Sequence, residues 1–112
     1  MSVLSLDDCY WLLTTDTVGG ITYTSGALPA VAPVTYVAAG SKVVIHVEPD
    51  KELLSSIDGH VVALQVDHVD KDTLDGWQVT VTGIAKLGLL DGQRRTLSLT
   101  SAITAGRRVK LA

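Results

Sequence analysis

Phenylalanine is absent from this chain, and two tryptophans with three tyrosines bring the aromatics to only 4% of its residues. A core without large aromatic rings must be assembled from Val, Leu, Ile and Ala, and an abundance of valine favours strands over helices. A single cysteine, Cys9, excludes an internal disulfide and fits a reducing compartment. Long apolar runs are missing too. None approaches the roughly 20 residues needed to cross a bilayer as a helix, and no cationic, apolar, small-residue leader opens the chain. Charge of one sign is scarce: the formal net charge of −3 argues against nucleic acid or an anionic membrane as the main partner. The expectation is a soluble cytoplasmic protein.

What is present suffices for one domain. The 112 residues are 46% hydrophobic, and residues 1–112 are read as a single unit. A domain of this size buries only a modest share of its surface. Its aliphatic excess therefore implies a second copy covering part of a sheet, and a homodimer is expected.

Along the chain, Ser5 is placed to cap a short helix, with Asp7 and Asp8 complementing its positive end and Leu6, Cys9 and Leu13 on one face. Thr14-Thr15-Asp16-Thr17 stops it. Strands are expected at residues 18–24, 30–38 and 42–47, joined by turns at Ser25-Gly26 and Ala39-Gly40. Pro33 has no N–H for a ladder, so it marks an edge, a bulge or a face bonded by something other than a strand. In the third strand both faces, Val43-Ile45-Val47 and Val44-His46, read as largely buried. Pro49-Asp50 opens a second helix through Ser56, and Asp58-Gly59 closes it. A strand at 60–67 presents Val62, Leu64 and Val66 on one face. The longest strand, 77–87, alternates Trp77, Val79, Val81, Gly83, Ala85 and Leu87 against Gln78, Thr80, Thr82 and Lys86. Gly83 at its centre suggests a bend. A few helical residues at 91–97 and a last strand at 107–111 complete the reading. The fold class is mainly β: a small antiparallel split β-barrel of about six strands with two or three short helices.

Five pieces in this order resemble the split-barrel family of pyridoxamine 5'-phosphate oxidase-like proteins, which includes flavin- and deazaflavin-dependent oxidoreductases. They are Asp7 through Leu13, Val18-Gly19-Gly20-Ile21, Leu28 through Tyr36, Ile45-His46-Val47 through Lys51, and Asp75 through Gly83. The resemblance implies a homodimer with two equivalent sites for FMN or a deazaflavin at the subunit interface. It places the flavin phosphate on the third strand and the helix after it, with the ring against the second strand and the partner's residues.

The candidate cofactor-binding residues are Pro33, Thr35, Tyr36, His46, Val47, Lys51, Trp77 and Gln78, each with a plainer alternative. Lys51 in the first turn of a helix gains nothing from the dipole, whereas a phosphate there would reverse that argument; otherwise it is a solvated surface lysine. His46 stands where the family often has Arg, and is alternatively a strand histidine packed at a dimer interface. Thr35 offers a bond to a ring edge and Tyr36 a ring or hydroxyl; otherwise the strand is bulged and its tyrosine packs on the dimer partner. Trp77 and Gln78 match the start of the family's cofactor-proximal strand, as any amphipathic strand would. Val47 replaces a hydroxyl donor and Gly20 a basic residue, while Glu48 and Asp50 repel an approaching dianion.

No catalytic side chain is assigned, which suits an enzyme whose chemistry belongs to the cofactor. His46, His60 and His68 lack metal-ligand spacing, and neither a nucleophile elbow nor a phosphate loop is present. Two functions stay open. One is an oxidoreductase passing hydride between a flavin or deazaflavin and a small planar substrate. The other is a barrel that has lost FMN and binds a different small molecule, such as a tetrapyrrole, or serves as a structural or interaction module.

Overall fold

The computed structural model describes residues 2–112, with the side chains of all of these except Asp91 and Ser101. Two helices and six strands follow in the order α1 (Leu6–Leu13), β1 (Val18–Ser25), β2 (Leu28–Ala39), β3 (Lys42–Val47), α2 (Lys51–Ile57), β4 (Val61–Val69), β5 (Asp75–Asp91) and β6 (Arg94–Lys110). All strand pairs are antiparallel, and the strands close into a barrel in the order β1-β2-β3-β6-β5-β4.

Local chemistry accounts for the element ends. The Ser5 hydroxyl accepts from the Asp8 amide and caps α1, while the Asp50 carboxylate accepts from the Leu53 amide at 2.9 Å and caps α2. Gly26 and Ala27 both take positive φ between Ser25 and Leu28, the geometry of a two-residue hairpin turn whose twist matches that of the strands. Pro33 falls where it does no harm. The Tyr36 amide bonds Thr17 on the β1 side, and amide directions alternate along a strand. Three residues earlier, Pro33 therefore turns its missing N–H toward the β3 side, beyond the last β2–β3 pair at Thr35 and His46. Of the roles open to this proline, the structure selects the edge.

Alternation then decides what is inside. Ile21, Val34, Ile45, Val47, Val62, Leu64, Val66, Val79, Val81, Ala85 and Leu97 point inward and are at most 5% exposed. Leu4, Cys9 and Leu13 join them from the N-terminal segment, and Ile57 from α2. Each fully buried aliphatic side chain contributes roughly 1.5–3 kcal/mol, so the interior is held almost entirely by this packing. Tyr36 brings a polar atom into it. Its ring is 1% exposed, and its hydroxyl donates to the Leu13 carbonyl at 2.7 Å, satisfying one of the orphan acceptors in the last turn of α1. Burial, and behind it the Asp16 carboxylate, pushes the Tyr36 phenol from the usual 10 up to about 12.

Four expectations are corrected. Residues 91–97 are not helical. They form the tip of a hairpin in which Gly92 takes positive φ and Asp91 faces Arg94. The last strand is not a five-residue piece but seventeen residues long, Arg94–Lys110. Leu6 is turned away from the core at 54% exposure, and α1 packs on the barrel through Cys9, Leu13 and half-buried Leu12. Val44, 42% exposed, lies with half-buried His46 on the outer wall, so only one face of β3 belongs to the core.

The expected bend at Gly83 is present. The β5–β6 register shifts between Thr82 and Ile84, and a Cβ on Gly83 would lie 2.8 Å from the Thr100 carbonyl oxygen.

Replacing Tyr36 by Phe leaves the Leu13 carbonyl without its buried donor and is expected to lower stability by about 1–3 kcal/mol in denaturant melts. Because the folded-state pKa is raised, the hydroxyl's contribution is fully present below pH 10 and is lost as pH rises through about 12. The Phe variant should lack that part of the alkaline decline. Parallel declines for the two proteins would refute the assignment.

Candidate functional site

The outer faces of β1, β2, β3 and β6 carry two of the polar groups singled out from the sequence, Thr35 and His46. Cross-strand register aligns Val18, Thr35, His46 and Thr96 in one row across four strands. On one side of that row lie exposed Val37 and Val44, paired with each other. On the other, Gly20 faces exposed Pro33, and Thr22 faces Val31, which is 70% exposed. Gly20 has no side chain to stand above the sheet, and a hollow of about 460 Å³ opens there between Val31, Gln65 and Asp67. The result is a flat, mostly apolar wall crossed by a polar row.

The row has a cation that the sequence reading missed. Arg94, at the start of β6, donates from Nη1 to Thr35 Oγ1 at 3.0 Å. The signal for it was present. Asp91-Gly92 between a leucine pair and the alternating Thr96-Leu97-Ser98-Leu99 is a strong hairpin sequence, and a hairpin there returns Arg94 to the barrel wall. The tip is braced where a second register shift separates Leu87 from Leu90. Arg95 Nε donates to the Gly88 carbonyl at 2.6 Å, and Thr96 Oγ1 donates to the Leu89 carbonyl at 3.0 Å. These side chains satisfy carbonyls in the stretch where the ladder slips.

The other candidates are dispersed. Tyr36 and Val47 point into the barrel, each 1% exposed, so only their backbones belong to the wall. Tyr36 spends its hydroxyl on α1 instead of a ligand or a dimer partner. Lys51 is exposed at the start of α2, beside a hollow of about 350 Å³ lined by Tyr23, Glu48, Asp50 and Glu52. Three carboxylates there oppose an anion. Trp77 is half-buried between His68 and Arg108, and Gln78 Oε1 accepts from Arg107 Nε at 3.1 Å on the outer face of β5. In the closed strand order β5 stands opposite β2. One barrel therefore does not bring Trp77 and Gln78 to Thr35 and His46.

Against this geometry, the sequence profile of the family described as pyridoxamine 5'-phosphate oxidase matches residues 5–110. The chain belongs to this family. An uncharacterized protein from Mycobacterium tuberculosis is 33% identical over 87 residues, covering 73% of this chain and 57% of that protein; the match spans little more than half of the relative's length. Among solved structures, the FAD binding protein from Mycobacterium smegmatis superposes with a TM-score of 0.81 at 22% identity, covering 97% of this chain and all of that one. A FAD-binding protein from Mesorhizobium loti gives 0.75 at 17% identity, covering 97% and 98%. At these identities the likeness is one of fold, and that fold is the split barrel of flavin-binding proteins.

Cys9 is no part of the wall. It is fully buried under Gly106, and burial, followed by the Asp8 carboxylate, pushes its thiol pKa up. In the native protein it should resist an aromatic disulfide reagent, then react stoichiometrically once urea unfolds the barrel. Rapid native labelling would show that α1 opens.

Proposed function

We propose that this protein binds a flavin nucleotide, FMN or FAD, or a deazaflavin, with the ring against the outer wall of β1 and β2, and that it does so as a homodimer. The observation that carries the reading is the wall itself. Gly20, Val31 and Pro33 present an exposed surface of small and apolar groups, edged by the Thr35–His46 row with Arg94 at Thr35. A planar ring gains most from such a surface, since it buries one apolar face without displacing side chains. Family membership and the flavin-binding relatives support the same choice of ligand.

The dimer follows from where the candidates fall. Gln78, on the outer face of β5, lies across the barrel from Thr35 and His46, so it would meet their ligand only between two copies, while Trp77 on the alternate face packs against the core. Exposed Val31, Val37 and Val44, which a lone barrel would leave in water, give such a contact its apolar area.

A bound flavin would supply hydride exchange with a small planar substrate. The protein's own residues contribute shape and hydrogen bonds: Thr35 a hydroxyl at the ring edge, and His46 an imidazole within one strand spacing of it. The acidic surroundings of Lys51 favour a second reading, a barrel that binds a ligand such as a tetrapyrrole without turning it over.

Titration of the purified protein with FMN, FAD, a deazaflavin and haem, followed by visible absorption, separates the two. Flavin binding at micromolar concentration is expected. Gly20→Val should weaken it at least about tenfold, with the fold checked by thermal melting, because the new side chain stands outward and exposed Val31, whose Cγ1 would lie 3.2 Å from the added Cβ, must give slightly. Haem binding with no flavin binding would transfer the case to the second reading, and no binding at all would end both. Light scattering should give twice the 11.8 kDa chain mass; a monomer would remove the two-chain site.

A further inference from the structure

Resting on the flavin reading, we propose that the cation anchoring the cofactor's phosphate is Arg94, delivered from the β5–β6 hairpin, rather than Lys51 or a residue of β3. A phosphorylated ligand needs a fixed positive group beside the wall; on the outer face of β3 stand His46, in the polar row, and Lys42, four residues away at the Ala39–Gly40 turn and beyond the Val37–Val44 pair. Arg94 fills that need from the neighbouring strand. The Thr35 contact uses Nη1 alone; among the described residues the guanidinium's other N–H groups have no partner, and they suit a phosphate in the forked geometry that ammonium groups do not match.

The geometry assigns the neighbours their parts. By accepting from Arg94, Thr35 Oγ1 keeps its own proton for the ring edge, and the phosphate is left to the guanidinium. Thr96 has its proton committed to the Leu89 carbonyl, so it is a spacer in the row and not a donor. Arg95 is a positioning residue. Its bond to the Gly88 carbonyl holds the slipped part of the hairpin, and with it the start of β6, against the barrel. Glu48 follows β3 one residue beyond the Val47–Arg95 pair, on the side where Arg94 enters. Its carboxylate repels a phosphate, and the Arg94 guanidinium entering beside it offsets that repulsion. The site therefore selects ligands with at least one phosphate over the same ring without it.

The test compares riboflavin, FMN and FAD on the wild type, Arg94→Gln and Arg94→Lys, with the fold checked by thermal melting. Arg94 is exposed and outside the core, so both variants should fold. FMN or FAD should bind the wild type at least about tenfold tighter than riboflavin. Arg94→Gln should erase that margin while leaving riboflavin affinity unchanged, and Arg94→Lys should restore part of it. If the phosphorylated flavins bind Arg94→Gln as tightly as the wild type, Arg94 is not the anchor, although the flavin reading survives. If none of the three flavins binds the wild type, that reading fails. The anchor is then judged by calorimetry with inorganic pyrophosphate: binding lost in Arg94→Gln upholds it, and no binding to the wild type overturns it.

Discussion

The structure depends on one long ribbon making a turn in its middle. Strands β5 and β6, seventeen residues each, pair with one another along almost their full length, and they alone connect β4 on one side to β3 on the other. A flat ribbon of that length would run past the barrel and leave it open. The slipped register at Gly83, where β6 backbone comes too close for any side chain, adds the curvature that closure requires. Everything functional on the outer wall follows from that closure, because it is what returns the start of β6 to β2 and β3.

Closure also separates the two faces of every strand. The inner face is given mainly to aliphatic packing, with Tyr23 and Trp77 at its margins, and the buried Tyr36 hydroxyl ties helix α1 to the barrel. The outer face carries the groups able to meet a ligand. Because neighbouring residues alternate between faces, strand β2 does both tasks at once, Val34 and Tyr36 holding the interior while Pro33 and Thr35 face out. Among the described residues no charged side chain or imidazole is fully buried, and the half-buried His46 is the imidazole on the wall.

Much of this was legible locally. Ser5 and Asp50 as caps, the limits of β3, the inward set of β4 and the bend at Gly83 all follow from residue type and spacing, and each is set by a few neighbours in sequence. Alternation alone separates Tyr36 from Thr35, and Val47 from His46, so their placement on opposite faces was also within reach. Residues 91–97 were harder. Arg94 and Arg95 read as polar helix surface as readily as strand, and only the Asp91-Gly92 turn pair favoured a hairpin.

By itself, then, the sequence determined the first five strands, the caps of both helices, and the family to which the chain belongs, but not the sixth strand or its hairpin. It did not determine which outer faces adjoin. Thr35 and Arg94 are 59 positions apart, and their contact depends on the registers of two strand pairs and the curvature of a third. Register is settled by the packing of whole faces after the barrel has closed. For that reason the cation of the candidate site belongs to the tertiary structure, while the wall it stands beside could be read from the sequence.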